Sequence, residues 1–157
     1  MNAPTVPSPV ASVLAPAGVS LDTILLVEDS EDDVFHFQRM VRQSGVNVQL
    51  DVVTDGNMAV TWLTGKMQDA AAGRGPLPRA VFLDLKLPGM AGLDILRWLR
   101  AQPALDPVLV VVCSWSSDLR DIAEAERLHA DLYLAKYPPA EQFGALLRVR
   151  DRESIRR

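Results

Sequence analysis

Short apolar runs alternate with amphipathic segments along most of the chain, and the runs predict strands. The first and fourth runs do not alternate with polar residues, which is typical of strands covered on both faces. The five predicted strands span residues 23–29, 46–54, 80–85, 107–114 and 132–136. In the first segment between them, Val34, Phe37 and Val41 recur at helical spacing. The predicted helices span residues 32–45, 55–65, 92–102, 117–130 and 139–154.

Residues typical of helix ends support these bounds. Gly45 lies where a glycine commonly ends a helix, and Asp55 and Gly65 begin and end the second helix. Ser117 is the predicted N-cap of the fourth helix. Residues 66–79 are then expected to form a long loop, rich in Gly, Ala and Pro, that is either mobile or used in binding.

The order of these elements is strand then helix, five times over. This order predicts an α/β fold, a doubly wound five-stranded parallel sheet with helices on both faces. Right-handed crossovers leave few topologies, and we expect the flavodoxin-like strand order 2-1-3-4-5. Ligands of such sheets bind beyond the carboxyl ends of the strands, at the switch point between strands 1 and 3. A functional site is therefore expected at that edge.

The length and composition fit one folded domain with an N-terminal extension. The 157 residues are 48% apolar, which is enough to bury a full core. Residues 1–20 are rich in Pro and Ala, so we expect them to form a flexible arm. Residues 21–157 are expected to form the domain.

Charge, hydropathy and cysteine content argue against several classes of protein. A net charge of −4 and a pI near 5.1 do not suggest a nucleic-acid partner, which usually meets a basic surface. No apolar run reaches the roughly 18 residues that span a bilayer, so no membrane segment is expected. Four prolines interrupt the start of the chain, where a secretory signal needs an unbroken apolar stretch. Cys113 is the one cysteine, which excludes an internal disulfide and fits a cytoplasmic location.

Charged and polar side chains follow the strands that should meet at the expected site. Glu28 and Asp29 end strand 1 and Asp84 ends strand 3, so three carboxylates should share one crevice. Ser114 ends strand 4 and Lys136 ends strand 5. Adjacent carboxylates repel one another unless they share a proton or a cation. Oxygen ligands without a cluster of His or Cys indicate Mg²⁺ rather than zinc.

Such a group of side chains can accept a phosphoryl group. Asp84 would attack phosphorus and form an aspartyl phosphate, a known use of a carboxylate nucleophile. Ser114 would hydrogen-bond one phosphoryl oxygen, and Lys136 would pair with another. The competing interpretation is that the acids only cap turns at the strand ends.

The motifs resemble the receiver domain of two-component response regulators over about residues 23 to 152. Ser114 lies thirty positions after Asp84, and Lys136 lies twenty-two further on, as in that family. The acid pair after strand 1 and the D-x-x-x-P-G pattern that begins at Asp84 belong to the same set. The resemblance implies that a histidine kinase phosphorylates Asp84 in signal transduction. The chain is then a phosphoacceptor rather than an enzyme, and its output is expected to be protein contacts or a phosphorelay.

The same resemblance implies a set of metal ligands. Asp29 and Asp84 would bind Mg²⁺ directly, and Glu28 would bind it mostly through water. The backbone carbonyl of Lys86 would supply a further ligand.

The resemblance also implies switch residues and a partner. Ser114 is the switch hydroxyl and Tyr133 the switch aromatic. The acid pair, the long loop before strand 3 and the lack of an output domain are similar to single-domain regulators that partner cyanobacterial and bacterial phytochrome kinases. Phe35, beside the buried stripe of helix 1, is either partly buried or a kinase contact.

Two positions depart from the family pattern. Trp115 follows the switch hydroxyl, where a small residue is usual, and its indole would restrict the phosphodonor or cover the phosphate. Tyr137 follows Lys136, where a proline with a cis bond is common, so the geometry of the Lys136–Tyr137 bond stays open.

Two other functions stay open. A degenerate receiver would only bind partners, and Trp115 favours that alternative. A phosphatase of the haloacid dehalogenase type would need a second acid two residues after Asp84, where this chain has Lys86.

We expect a homodimer through helix 4, strand 5 and helix 5, since a lone receiver signals through a surface. Acids of helix 4 would face arginines of helix 5 across a two-fold axis. The acids are Asp118, Asp121, Glu124 and Glu126, and the arginines are Arg148, Arg150 and Arg152. The apolar contacts would be Leu132, Tyr133, Leu147 and Val149.

Overall fold

A computed structural model describes residues 22–148 of the chain. The strands are β1 (Asp22–Val27), β2 (Val48–Val53), β3 (Ala80–Leu83), β4 (Leu109–Ser114) and β5 (Leu132–Ala135). The helices are α1 (Glu31–Ser44), α2 (Gly56–Ala71), α3 (Gly92–Arg100), α4 (Leu119–Arg127) and α5 (Ala140–Arg148). A short 3₁₀ turn, Pro103–Leu105, precedes β4. The predicted arm over residues 1–20 lies outside the described residues.

The five strands form one parallel sheet in the order β2-β1-β3-β4-β5, which confirms the predicted topology. The order reverses between β1 and β3, so the carboxyl ends of these two strands flank a crevice. No helix within residues 22–148 is long and apolar enough to cross a bilayer.

The sheet separates two apolar clusters. Residues of β1 alternate between them: Leu25 and Val27 pack toward α2, α3 and α4, whereas Ile24 and Leu26 pack toward α1 and α5. On the second face three aromatic rings meet, with centroids 5.0 to 5.5 Å apart. They are Phe37 of α1, Phe82 of β3 and Phe143 of α5. The buried polar residues Glu28, Asp84, Ser114 and Lys136 all lie at strand ends, whereas Asp51 lies within β2 and accepts hydrogen bonds from Gln49 and Trp62.

Two predicted helix bounds are wrong. Helix α2 continues past Gly65 to Ala71, because the residues after the glycine are good helix formers and Met67 packs on the core. The connection before β3 is therefore shorter than predicted. The N-cap of α4 is Asp118 rather than Ser117, and its carboxylate accepts a hydrogen bond from the Arg120 amide at 2.9 Å. The predicted end of α1 is confirmed, since Gly45 adopts a left-handed conformation with φ 71°.

The structure also changes the surface that was expected to form a dimer. Leu147 lies on the face of α5 that is buried in the core, so it is not available as a surface contact. The guanidinium of Arg148 donates to the Ser44 carbonyl at the end of α1, at 3.4 Å, rather than pointing toward α4. Val149, Arg150 and Arg152 lie outside the described residues.

Two of the four acids that were predicted to cross the dimer interface already pair with neighbours in the α4 segment. Asp118 pairs with Arg120 at 3.0 Å, and Glu124 accepts a hydrogen bond from Arg127 at 2.9 Å. Glu124 and Arg127 are one helical turn apart, which is the usual spacing of such pairs. Cross-subunit pairing by Asp118 and Glu124 would therefore have to replace contacts that already exist.

Candidate functional site

Backbone hydrogen bonds extend the sheet one residue past several strands and so place the polar residues. The Glu28 amide donates to the Val53 carbonyl at 3.0 Å, and the Asp84 amide donates to Val27 at 3.2 Å. The Lys136 amide donates to the Ser114 carbonyl at 3.0 Å. The backbone of each of these polar residues is therefore fixed by the sheet, although the residue lies just beyond the strand.

The turn after Asp84 is held by two glycines. Gly89 has φ 74°, a left-handed conformation that side chains disfavour. Gly92 begins α3 against the backbone that follows β3, and a Cβ there would lie 2.3 Å from the Asp84 carbonyl oxygen. The absence of a side chain at Gly92 is thus what lets α3 pack directly behind Asp84.

Three carboxylates meet at the carboxyl ends of β1 and β3, and we call them the acid cluster: Glu28, Asp29 and Asp84. One oxygen from each lies within 4.8 Å of the others. Glu28 is 2% exposed and Asp84 is 7% exposed, whereas Asp29 faces solvent. The predicted convergence of these acids is confirmed.

Lys136 supplies a cation to this cluster from the end of β5. Its buried ammonium bonds to a Glu28 carboxylate oxygen and lies 3.4 Å from an Asp84 oxygen. Burial alone would lower the pKa of Lys136, but its hydrogen bonds to Glu28 and Asp33 outweigh burial and raise that pKa. The ammonium therefore stays charged.

Glu28 has the opposite balance of effects. Burial raises the pKa of Glu28 above its ordinary value, and hydrogen bonds from Lys136 and from the Ser30 amide offset only part of the rise. The nearby charge of Asp84 raises it further. Glu28 therefore binds a proton more readily than an ordinary glutamate, as expected where carboxylates crowd around one ammonium.

The donor set of the acid cluster fits a hard divalent cation. Three carboxylates offer oxygen ligands at one open crevice, and Asp29 on its solvent side leaves a path for entry. The described residues around it place no histidine or cysteine in the set, which disfavours zinc.

Ser114 and Tyr133 are tied to the loop between β4 and α4. Ser114 is fully buried, and its hydroxyl accepts a hydrogen bond from the Ser116 amide at 3.2 Å. The Tyr133 hydroxyl donates to the Ser116 carbonyl at 2.9 Å. The Ser116 hydroxyl in turn donates to Asp121 of α4 at 2.8 Å. Both predicted switch residues therefore contact a single loop residue that leads into α4.

Two aromatic side chains border the site, and we call them the aromatic rim: Trp115 and Tyr137. Their ring centroids lie 5.1 Å apart in an edge-to-face arrangement. Trp115 is 64% exposed although it directly follows buried Ser114. The peptide bond between Lys136 and Tyr137 is cis, which answers the geometry left open by the sequence.

Asp33 is a site residue that the sequence did not reveal. It lies on the first turn of α1, and its carboxylate accepts hydrogen bonds from Lys136 at 2.9 Å and from the Trp115 indole at 3.4 Å. The Tyr137 hydroxyl donates to its other oxygen. The usable signal was that α1 starts just after the acid pair, so its first turn must lie above the strand ends.

The remaining predicted residues are placed as follows. The exposed Lys86 donates its amide to an Asp84 oxygen at 3.4 Å, while the role of its carbonyl stays a prediction. Cys113 is buried at the end of β4, and burial raises the pKa of its thiol to about 12. A buried, neutral thiol of this kind contributes to packing and is a poor nucleophile.

Comparison with known proteins agrees with this geometry. The sequence pattern of the response regulator receiver domain matches residues 24–148. A curated relative, response regulator Rcp1 of Synechocystis, is 33% identical over 113 residues, which are 72% of this chain and 75% of Rcp1.

Solved structures resemble the fold over most of its length. The phosphorylated cyanobacterial phytochrome response regulator RcpA aligns with a TM-score of 0.66 at 29% identity, covering 82% of this chain and 90% of RcpA. The bacteriophytochrome response regulator RtBRR aligns with a TM-score of 0.67 at 31% identity, covering 80% of this chain and 75% of RtBRR. An Mn²⁺-bound form of Rcp1 aligns with a TM-score of 0.64 at 29% identity, covering 81% of this chain and 89% of that one.

Proposed function

The chain belongs to the response regulator receiver family and acts in two-component signalling, and on that premise we propose that Asp84 accepts a phosphoryl group from a sensor histidine kinase. The observation that carries the proposal is the meeting of Asp84 with two further carboxylates and the Lys136 ammonium. Turn capping alone would not require a buried lysine aimed at the acids.

The proposed reaction moves one phosphoryl group between two nucleophiles. An Asp84 carboxylate oxygen attacks the phosphorus of a phosphohistidine, and the new O–P bond forms as the N–P bond breaks. The leaving imidazole nitrogen keeps the electron pair and takes up a proton. The Lys136 ammonium and the Ser114 hydroxyl then pair with phosphoryl oxygens. Charge neutralisation and positioning are what the protein contributes.

We infer that the cation at the acid cluster is Mg²⁺. Asp29 and Asp84 would bind it directly, Glu28 through water, and Lys86 through its carbonyl. Bound there, Mg²⁺ would neutralise charge on the transferring phosphoryl group. An Mn²⁺-bound form of the relative Rcp1, together with the three converging carboxylates of this chain, supports a divalent metal.

A kinase coupled to a phytochrome is the proposed phosphodonor. The relatives RcpA and RtBRR, which are described as phytochrome and bacteriophytochrome regulators, support this pairing. Phe35 of α1 is 55% exposed, next to a groove of about 270 Å³ that His36, Arg39 and Pro138 line in part. We propose that the kinase contacts this end of α1, in the cytoplasm.

We also propose that the chain pairs with itself through α4, β5 and α5. Leu119, on the first turn of α4, is 79% exposed and replaces Leu147 as the apolar candidate. Sedimentation at micromolar concentration should show a dimer that Leu119→Glu weakens, whereas Phe35→Glu on α1 should leave it intact. A monomer, or a dimer that Leu119→Glu does not change, would count against this face.

Phosphoryl labelling tests the central proposal. Acetyl phosphate with Mg²⁺ should add one phosphoryl group, detected by intact mass, and excess EDTA should abolish the labelling. Asp84→Asn should not be labelled, whereas Asp32→Asn, which removes an exposed carboxylate of α1, should be labelled normally. Labelling that survives Asp84→Asn would contradict the assignment. Absence of labelling in the unchanged protein would favour the degenerate receiver.

A further inference from the structure

Asp33 connects three elements above the acid cluster without belonging to it. Its carboxylate, 15% exposed, accepts from Lys136 after β5 and from Trp115 after β4, while its own backbone lies in α1. The Tyr137 hydroxyl donates to it as well. Both members of the aromatic rim therefore donate to this one carboxylate.

Asp33 also competes for the ammonium that phosphoryl transfer would need. An ammonium has three N–H donors, and Lys136 has three carboxylates around it: Glu28, Asp33 and Asp84. Asp33 lies nearer to the nitrogen than Asp84 does, at 2.9 Å against 3.4 Å. A phosphoryl oxygen on Asp84 can pair with Lys136 only if one existing contact gives way.

We propose that Asp33 is a positioning residue that holds Lys136 back from Asp84 and so slows phosphoryl acceptance. The inference rests on the proposed function of Asp84. Of the three contacts, the one with Asp33 is nearest to solvent, because Glu28 and Asp84 are more deeply buried. Its loss leaves the least uncompensated charge behind, so this contact is the one that exchanges for the phosphoryl oxygen. Release of Asp33 also frees the Trp115 indole, which couples the rim to phosphorylation.

The obvious alternative is that Asp33 is only a structural counterion. In that case Asp33→Asn would lower stability without raising the labelling rate. The neighbouring Asp32 provides a matched control, because Asp32→Asn makes the same change of charge on the same helical turn at an exposed position.

The test is the initial rate of labelling by acetyl phosphate at fixed Mg²⁺. We expect Asp33→Asn to label about three- to tenfold faster than the unchanged protein, since a nearby anion is removed and the remaining amide oxygen is a weaker acceptor for Lys136. Asp32→Asn should stay within about twofold, as expected for a screened surface charge. Asp33→Glu should restore the slow rate.

Fluorescence supplies a readout that a purely structural role would not move. Beryllofluoride with Mg²⁺ should change the emission of the unchanged protein, and Trp115→Phe should remove that change. In Asp33→Asn the change should be smaller, because a neutral amide oxygen already holds the indole more weakly than the carboxylate does. A change of full size in Asp33→Asn would overturn the coupling to the rim.

The outcomes distinguish the proposed role of Asp33 from the proposed phosphorylation of Asp84. If the unchanged protein is not labelled, the proposed function of Asp84 and the role of Asp33 are both overturned. If the unchanged protein is labelled but Asp33→Asn is labelled no faster than Asp32→Asn, only the role of Asp33 is overturned. If Asp33→Asn does not fold, Tyr137→Phe decides. With one donor to Asp33 removed, that carboxylate should hold Lys136 more strongly, so slower labelling supports the inference and an unchanged or faster rate overturns it.

Discussion

The acid cluster and the aromatic rim both lie beside Lys136, yet they are held in different ways. The acids follow strands whose ends are joined by backbone hydrogen bonds, and two of the three are buried. The rim depends on side-chain contacts, and Trp115 remains mostly exposed. The position of the acid cluster is thus fixed by the same backbone hydrogen bonds that hold the sheet together. We therefore expect that changes in the rim cost the fold little stability and still alter the rate of labelling.

The largest expected effect on stability comes from removing the Lys136 ammonium beside the acid cluster. Lys136→Met should lower the free energy of unfolding by about 3 kcal/mol, because it leaves buried carboxylates uncompensated. Chemical denaturation measures this loss. Added Mg²⁺ should raise the melting temperature of this variant more than that of the unchanged protein, since the acids then lack an internal cation.

Lys86→Met is the matched control for that experiment. Lys86 lies two residues after Asp84 but is exposed, so its loss should change the free energy of unfolding by no more than about 0.5 kcal/mol. Equal losses for the two variants would mean that Lys136 is not the counterion of the cluster.

An intermediate effect is expected at the backbone behind Asp84. Gly92→Ala should cost about 1–3 kcal/mol, because the new methyl group would overlap the Asp84 carbonyl. Labelling of Asp84 should fall as well, since its backbone must shift. The comparison is Gly65→Ala in α2, where nothing lies within 4 Å. That change should stabilise the helix by roughly 0.5–1 kcal/mol. Destabilisation by both alanines to the same degree would argue against a specific clash.

The smallest effect on stability, and a clear one on rate, is expected at the rim. Trp115→Ala should change the free energy of unfolding by less than about 0.5 kcal/mol because the ring is exposed. Its labelling or dephosphorylation rate should nevertheless change several-fold, since the indole donates to Asp33, which also binds the Lys136 ammonium. Phe35→Ala, an exposed aromatic on α1, should leave both rates with acetyl phosphate unchanged. Unaltered rates in Trp115→Ala would show that the rim does not control access.

The sequence by itself predicted the parallel sheet, its strand order and the meeting of Glu28, Asp29 and Asp84. These follow from local rules, because an apolar run marks a buried strand and every parallel strand ends at the same edge. The prediction that α2 ends at Gly65 is wrong, because the helix continues to Ala71. Packing of Met67 on the core outweighs the helix propensity of one residue.

Only the tertiary structure revealed that Asp33 belongs to the site and that the Tyr137 hydroxyl donates to it. Their meeting depends on side-chain conformations across more than a hundred residues of chain, and no spacing rule covers such a contact. Backbone periodicity determines which residues reach the edge of the sheet. Which of them share the Lys136 ammonium is decided by the packing of α1 against the end of β5, since hydrogen bonds depend on ångström distances that sequence patterns do not encode.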